Sequence, residues 1–204
     1  MKDLITDYEQ DTRQWLQSVV LGLNLCPFAH APARKGTIRY LVSAAQSEEQ
    51  LLEVFLSECQ FLLDNDPKEI ETTLLIHPFT LQDFQKYYKF LHVLDHTLQV
   101  YDWEEDLQVA SFHPNYQFAG TAADQITNYT NRSPYPMLHL LRQDLLTEAL
   151  ERYPHDPEQI PVRNQERLRS LTPSERLRLL VGSHKGSADS HFRSNTPARG
   201  DSTS

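Results

Sequence analysis

Apolar positions recur along the chain in two rhythms. Leu4, Tyr8, Trp15, Leu16, Val19 and Val20 keep the spacing of one helical face, which predicts an amphipathic helix over residues 4–21 closed before Gly22. Residues 37–43 (Thr-Ile-Arg-Tyr-Leu-Val-Ser) have the β-branched and aromatic content of a strand, and Ser47 with Gln50 forms a capping box for a helix reaching about Leu63. The alternation then repeats. Residues 72–77 are a second short apolar run that stops at Pro78, and Thr80 with Asp83 opens a helix whose stripe is Phe84, Tyr87, Tyr88, Leu91, Leu94 and Leu98. After an acidic turn at 102–106, residues 107–113 make a third strand that ends at His113. Strands alternating with helices imply βαβ crossovers. The expected fold is therefore α/β, a small and mostly parallel sheet of three or four strands flanked by helices, with any added antiparallel strand near 100–103.

The C-terminal third reads as helical. Ser133 and Pro134 have the form of an N-cap and first residue for a helix over 134–152. Another helix is expected from about Asp156 or Pro161 to Leu171, and residues 172–175 (Thr-Pro-Ser-Glu) make a second capping box before a short helix that stops at Gly182. Beyond it almost no apolar residue occurs, so 1–181 is expected as one α/β domain and 182–204 as a disordered tail.

Composition narrows the setting. The 204 residues are 39% hydrophobic and contain no apolar run near the roughly 20 residues a membrane helix needs. The polar, acidic start lacks a secretory signal, so a cytoplasmic location with reduced thiols is expected. Cys26 and Cys59 are too few for a disulfide framework or a cysteine-based zinc ribbon. Residues 1–162 carry 24 acidic against 11 basic side chains, whereas 163–204 carry 4 against 8. The main body should repel nucleic acid. The basic segment 163–180 is either a solvated helix face or a contact for an acidic protein partner.

Candidate chemistry gathers between residues 77 and 142. His77 and His113 each close an apolar strand and precede a proline; in parallel strands both imidazoles reach the carboxyl edge, where open α/β sheets hold ligands. Arg132, just ahead of the expected helix start, would join Asn128, Asn131 and Ser133 in a receptor for carboxylate or phosphate, or would instead lock the loop by pairing with a carboxylate such as Asp124. On the expected helix Tyr135, His139 and Arg142 share a face. Cys26 suits a nucleophile if a histidine or helix start lowers its pKa, and otherwise a small buried hydrophobe. Cys59 shares its face with Leu52, Phe55, Leu56 and Leu63 and belongs to the core. His77 and His113 with Cys26 or His139 would make a dispersed metal site, while His92 and His96, beside Lys89 and Asp95, read as surface. The glycines are isolated and no phosphate-loop pattern occurs, so nucleotide cofactors find no support.

Four stretches, residues 21–29 (Leu-Gly-Leu-Asn-Leu-Cys-Pro-Phe-Ala), 101–114, 116–120 (Tyr-Gln-Phe-Ala-Gly) and 128–142, together resemble a bacterial family known as domain of unknown function 1415. The resemblance covers residues 3 to about 180. It implies a bacterial cytoplasmic origin and, the family having no assigned activity, carries no catalytic residue with it. The residues themselves suggest a small enzyme acting on an anionic small molecule. His113 would be its general acid or base with His77 or Cys26 assisting, and Arg132, Asn131, Asn128, Ser133, Tyr116 and His139 would hold the substrate. The alternatives are a non-catalytic ligand- or metal-binding or assembly module, and a polar loop that serves only to lock the fold.

Overall fold

A computed structural model of the chain describes residues 2–180. The expected tail, 182–204, lies outside the described residues. Helix α1 (Lys2–Trp15) runs into a π-helical turn (Leu16–Leu21), and a 3₁₀ turn (Pro27–Ala29) leads into the short α2 (His30–Lys35). Then follow β1 (Ile38–Val42), α3 (Glu48–Asp64), β2 (Thr72–Ile76), α4 (Phe84–Val100) and β3 (Leu107–Phe112). A 3₁₀ turn (Ile126–Thr130) precedes β4 (Met137–Arg142), α5 (Gln143–Glu151), a 3₁₀ turn (Pro157–Gln159), α6 (Ile160–Arg169) and α7 (Pro173–Leu180). Among the described residues no helix is long and apolar enough to cross a membrane.

The α/β class holds, but the sheet is mixed. Its order is β1-β2-β4-β3; β1 pairs with β2 in parallel, and β4 is antiparallel to both neighbours. Strands β1, β2 and β3 therefore point one way and β4 points back between the last two. The fourth strand is not near 100–103, where α4 ends and turns. It occupies the first half of the span expected as helix 134–152, of which only Gln143–Glu151 is helical. The reason is physical. Met137–Arg142 is a central strand with both faces covered, so it lacks the alternation that marks a half-exposed strand, and a short apolar run buried on all sides reads alike as helix or strand. Pro136 disfavours the helical conformation for Tyr135, and Ser133 donates its hydroxyl to the Tyr135 carbonyl at 2.6 Å instead of capping amides.

Each face of the sheet has its own core. On one side Leu75, Leu107, Leu138 and Leu140 meet Leu51, Phe55, Cys59 and Leu62 of α3 and Tyr87, Phe90, Leu94 and Leu98 of α4. The capping residues read from the sequence act as such: Ser47 accepts from the Gln50 amide and Asp83 from the Lys86 amide. On the other side Ile76 and Met137 meet Trp15, Leu16, Val19 and Val20, together with Leu168, Leu171 and Leu179 of the C-terminal helices. From Tyr8 to Val20 the amphipathic stripe is thus real, although its second half winds wider. Amides of Gly22 and Leu25 reach back five residues, to Gln17 (3.0 Å) and Val20 (2.9 Å). A Cβ on Gly22 would sit 2.5 Å from the Ser18 carbonyl oxygen, so only glycine fits there.

Three buried polar side chains tie the layers together. Glu58 of α3 accepts from Arg39 Nε of β1 and Thr73 Oγ1 of β2, both at 2.8 Å. Tyr87 of α4 donates to the Met137 carbonyl at 2.7 Å and accepts the Phe112 amide at 3.0 Å. Arg142, at the end of β4, gives its guanidinium to the carbonyls of Leu62, Asn65 and Ile70, closing the C-terminus of α3. Replacing Arg142 by Met leaves those carbonyls without a charged donor. We expect Arg142→Met to lose roughly 2–4 kcal/mol in urea unfolding, and a loss below about 1 kcal/mol would show that the guanidinium does not hold the helix end.

Candidate functional site

Because β4 runs against β3 and pairs with it, the chain between them must leave and re-enter the sheet at the same edge. Residues 113–136 form that excursion, bonded to the carboxyl ends of β2 and β3 through the His77 amide on the Pro136 carbonyl and the His113 amide on the Asn131 carbonyl. The two histidines do share this edge, and both are fully buried. Residues 73, 75 and 77 point to one face, as do 109, 111 and 113, so both rings lie on the α3/α4 side with Tyr87 against each: centroids are 5.8 Å from His77 and 5.0 Å from His113.

The hydrogen bonds settle the tautomers. A carbonyl only accepts, so His77 donates from Nδ1 to the Thr80 carbonyl at 3.0 Å, and His113 donates from Nε2 to the Leu81 carbonyl at 3.1 Å. The remaining nitrogen of His113 accepts the Asn115 amide at 3.0 Å, which leaves that ring with no free proton or lone pair. Nε2 of His77 has no partner and is the one buried side-chain polar atom so placed among the described residues. Burial holds the pKa of both rings down at about 4. Together they grip the turn between β2 and α4, in which Leu81 adopts a left-handed backbone (φ 58°) rare for a branched residue and directs its carbonyl at His113.

The loop residues bind the loop itself. Arg132 donates Nε to the Tyr116 carbonyl at 3.2 Å and Nη2 to the Ala123 carbonyl at 2.5 Å, with the Tyr129 ring beneath it. Asn128, fully buried, accepts from the Phe118 amide and the Thr121 hydroxyl and donates to the Ala122 carbonyl. Asn131 donates to the Ser111 carbonyl, and the Ser111 hydroxyl reaches the Tyr116 hydroxyl at 3.4 Å. Arg132 precedes a strand here and not a helix, so the helix amides that were to complete its anion receptor do not exist. The basic segment is likewise engaged: Arg163 donates to the Tyr153 hydroxyl, Arg167 pairs with Glu175 at 2.7 Å, and Asn164 donates to the Leu25 carbonyl.

Cys26 and His139 come together elsewhere, in the wall of a cavity of about 540 Å³ on the opposite face of the sheet. Its floor is Leu74, Ala110 and His139, which are cross-strand neighbours on β2, β3 and β4. Trp15, Leu16 and Val20 close one side; the segment from Cys26 to Pro32 and the α5 residues Leu145, Leu146 and Ala149 close the others. His139, on a strand and not on a helix, no longer shares a face with Arg142, whose side chain goes to α3. It makes no hydrogen bond among the described residues, its closest ring contact is Phe112 at 6.2 Å, and burial alone lowers its pKa to about 4. Burial raises the pKa of the Cys26 thiol, and the Phe28 and Ala29 amides only partly offset this. The two pairs of residues thus lie on opposite faces, so neither Cys26 nor His139 joins His77 and His113 in the dispersed metal site; among the described residues no group of three His, Cys, Asp or Glu could hold a metal. Sequence reasoning missed the cavity itself, since its space comes from small residues (Ala29, Ala31, Ala110, Ala149) that carry no chemical signal.

Fold and site define an α/β protein with a mixed four-stranded sheet, a sealed carboxyl edge and an apolar cavity on one face. The chain belongs to the family described as protein of unknown function DUF1415, whose model matches residues 7–177. All four stretches that carried the resemblance fall inside that span. No curated protein and no solved structure matches the chain.

The imidazoles of His77, His113 and His139 set an acid limit. An imidazole in the unfolded chain titrates near 6.5 and these near 4, so their contribution is complete above about pH 6.5 and is lost as pH falls toward 4, when the unfolded chain takes up protons the native state refuses. The loss is on the order of 3 kcal/mol per histidine. Urea midpoints should therefore hold steady from about pH 8 to 6.5 and drop steeply below; a profile flat to pH 4.5 would mean the rings are protonated inside the fold.

Proposed function

We propose that this protein binds a small apolar molecule in the cavity between the sheet and helices α2 and α5. The observation that carries the reading is the pairing of an apolar cavity of about 540 Å³, well inside the usual range for small-molecule sites, with a half-buried imidazole in its floor, His139, that makes no hydrogen bond among the described residues. His139 lines the cavity with one donor and one acceptor that no protein group uses, the kind of single orienting contact such sites provide amid apolar walls. The mouth carries two ion pairs, Lys35 with Glu71 and Arg152 with Glu148.

A neutral solvatochromic dye such as Nile red tests the reading. It should bind with enhanced, blue-shifted emission, and at a hundredfold excess over its Kd raise stability by about 2.7 kcal/mol, or Tm by roughly 5–10 °C. Ala110→Phe, which fills the floor beside His139, should weaken binding at least about tenfold with the circular dichroism unchanged. Equal binding by the filled variant would place the dye elsewhere and remove the support.

A second reading, an enzyme acting on an anionic small molecule at the carboxyl edge, draws on the bare Nε2 lone pair of His77. It requires residues 113–136 to lift and Arg132 to leave its two carbonyls. A panel of phosphate and carboxylate metabolites should then raise Tm in the native protein and not in Arg132→Ala; no stabilisation by any of them would remove this reading.

A further inference from the structure

The charges around the cavity specify more than an apolar ligand. Three cations border it, and each is already committed: Lys35 to Glu71, Arg152 to Glu148 at 3.0 Å, and Arg142 to the backbone carbonyls of Leu62, Asn65 and Ile70. Glu71 and Glu148 bring two carboxylates to the same border. The Thr72 hydroxyl is used by the Leu140 carbonyl. No group in the wall is therefore free to neutralise an anion, and burying a carboxylate without a partner charge is far costlier than burying a neutral polar group.

His139 completes the argument. Its ring sits at the centre of the floor, paired across the strands with Leu74 and Ala110, and Ala110 leaves room directly beside it. A neutral imidazole offers one N–H and one lone pair. A hydroxyl answers either and a carbonyl oxygen answers the first, whereas a carboxylate offers only acceptors and a charge that nothing balances. The remainder of the wall, from Trp15 and Val20 to Leu145 and Leu146, is aliphatic and aromatic and suits a hydrocarbon body.

We infer that the cavity takes an uncharged aliphatic molecule bearing one hydroxyl or carbonyl oxygen, hydrogen-bonded to His139, and discriminates against the corresponding carboxylate. The inference rests on the cavity being the ligand site.

The protein carries its own reporters. Trp15 lines the cavity, and the only other tryptophan, Trp103, packs against the core on the opposite face of the sheet, so Trp103→Phe isolates the signal. Cys26 lines the cavity too, while Cys59 is buried in the other core with its pKa pushed up to about 12, so N-ethylmaleimide should label Cys26 alone. In Trp103→Phe at about pH 7.5, 1-decanol should shift Trp15 emission, slow Cys26 labelling and bind about tenfold or more tighter than decanoate. Each added methylene in the alcohol series should tighten binding about fourfold. His139→Leu, with near-wild-type circular dichroism, should weaken decanol about tenfold. The comparison of alcohol with carboxylate needs no change at His139, so it stands if that variant does not fold. Decanoate binding as tightly as decanol, with both protecting Cys26, overturns the inference and leaves the cavity as the site. Absence of any Trp15 shift or Cys26 protection by either compound removes the site reading and the inference with it.

Discussion

The structure turns on the insertion of β4 between two strands that run the other way. As a central strand it pairs its backbone on both sides, with residues 137–141 in register against β2 and β3 at once, and the chain must come back to the carboxyl edge to start it. The long excursion 113–136 is the consequence, and that edge has to be closed from inside, because the first pairs of the ladder abut a loop and not water. The Tyr87 hydroxyl performs the closure by taking the last amide of β3 and giving its proton to the first carbonyl of β4. His77 and His113, packed against the same ring, hold the turn that places α4 and hence Tyr87 itself. Sheet order, loop and buried imidazoles are one arrangement.

This explains why so many polar side chains cluster between 113 and 133. An irregular segment laid over the end of a sheet exposes carbonyls and amides that no ladder satisfies, and each needs a partner. Arg132 answers two carbonyls, Asn128 three groups and Asn131 another. Residue types that would build an anion receptor are also those that close a loop, and nothing in their order along the chain distinguishes the two uses.

What the sequence disclosed follows the same line. Periodicity and caps located α3, α4, β1 and β3, which keep partly exposed positions, and β2, buried throughout, showed as a short apolar run cut off at Pro78. The shared edge of His77 and His113 was legible too, since β1, β2 and β3 do run together. Three things were not. Strand β4 carries no alternation when both faces are covered. The direction of a strand-end side chain depends on parity against a sheet not yet built, so the separation of His77 and His113 from Cys26 and His139 was hidden. The cavity is an arrangement of small residues from β3, α2 and α5 that are far apart in sequence, and only packing brings them to one wall.

The π-helical turn at Leu16–Leu21 admits one more residue per turn than an α-helix would. A helix advances about 100° per residue, so this supernumerary position sets the rotational phase between α1 and the wall built from Leu16 and Val20. Upstream, α1 is indexed to the sheet by Arg13 over the Tyr40 ring and by the Asp11 carboxylate accepting from Tyr135; downstream, the same turn faces the cavity. The two stretches are geared to each other through a single inserted residue. A chain that lost it would keep an intact helix and an intact sheet, yet present a different set of side chains to the cavity. The cavity wall in this fold is thereby open to revision by a change in length as well as by substitution.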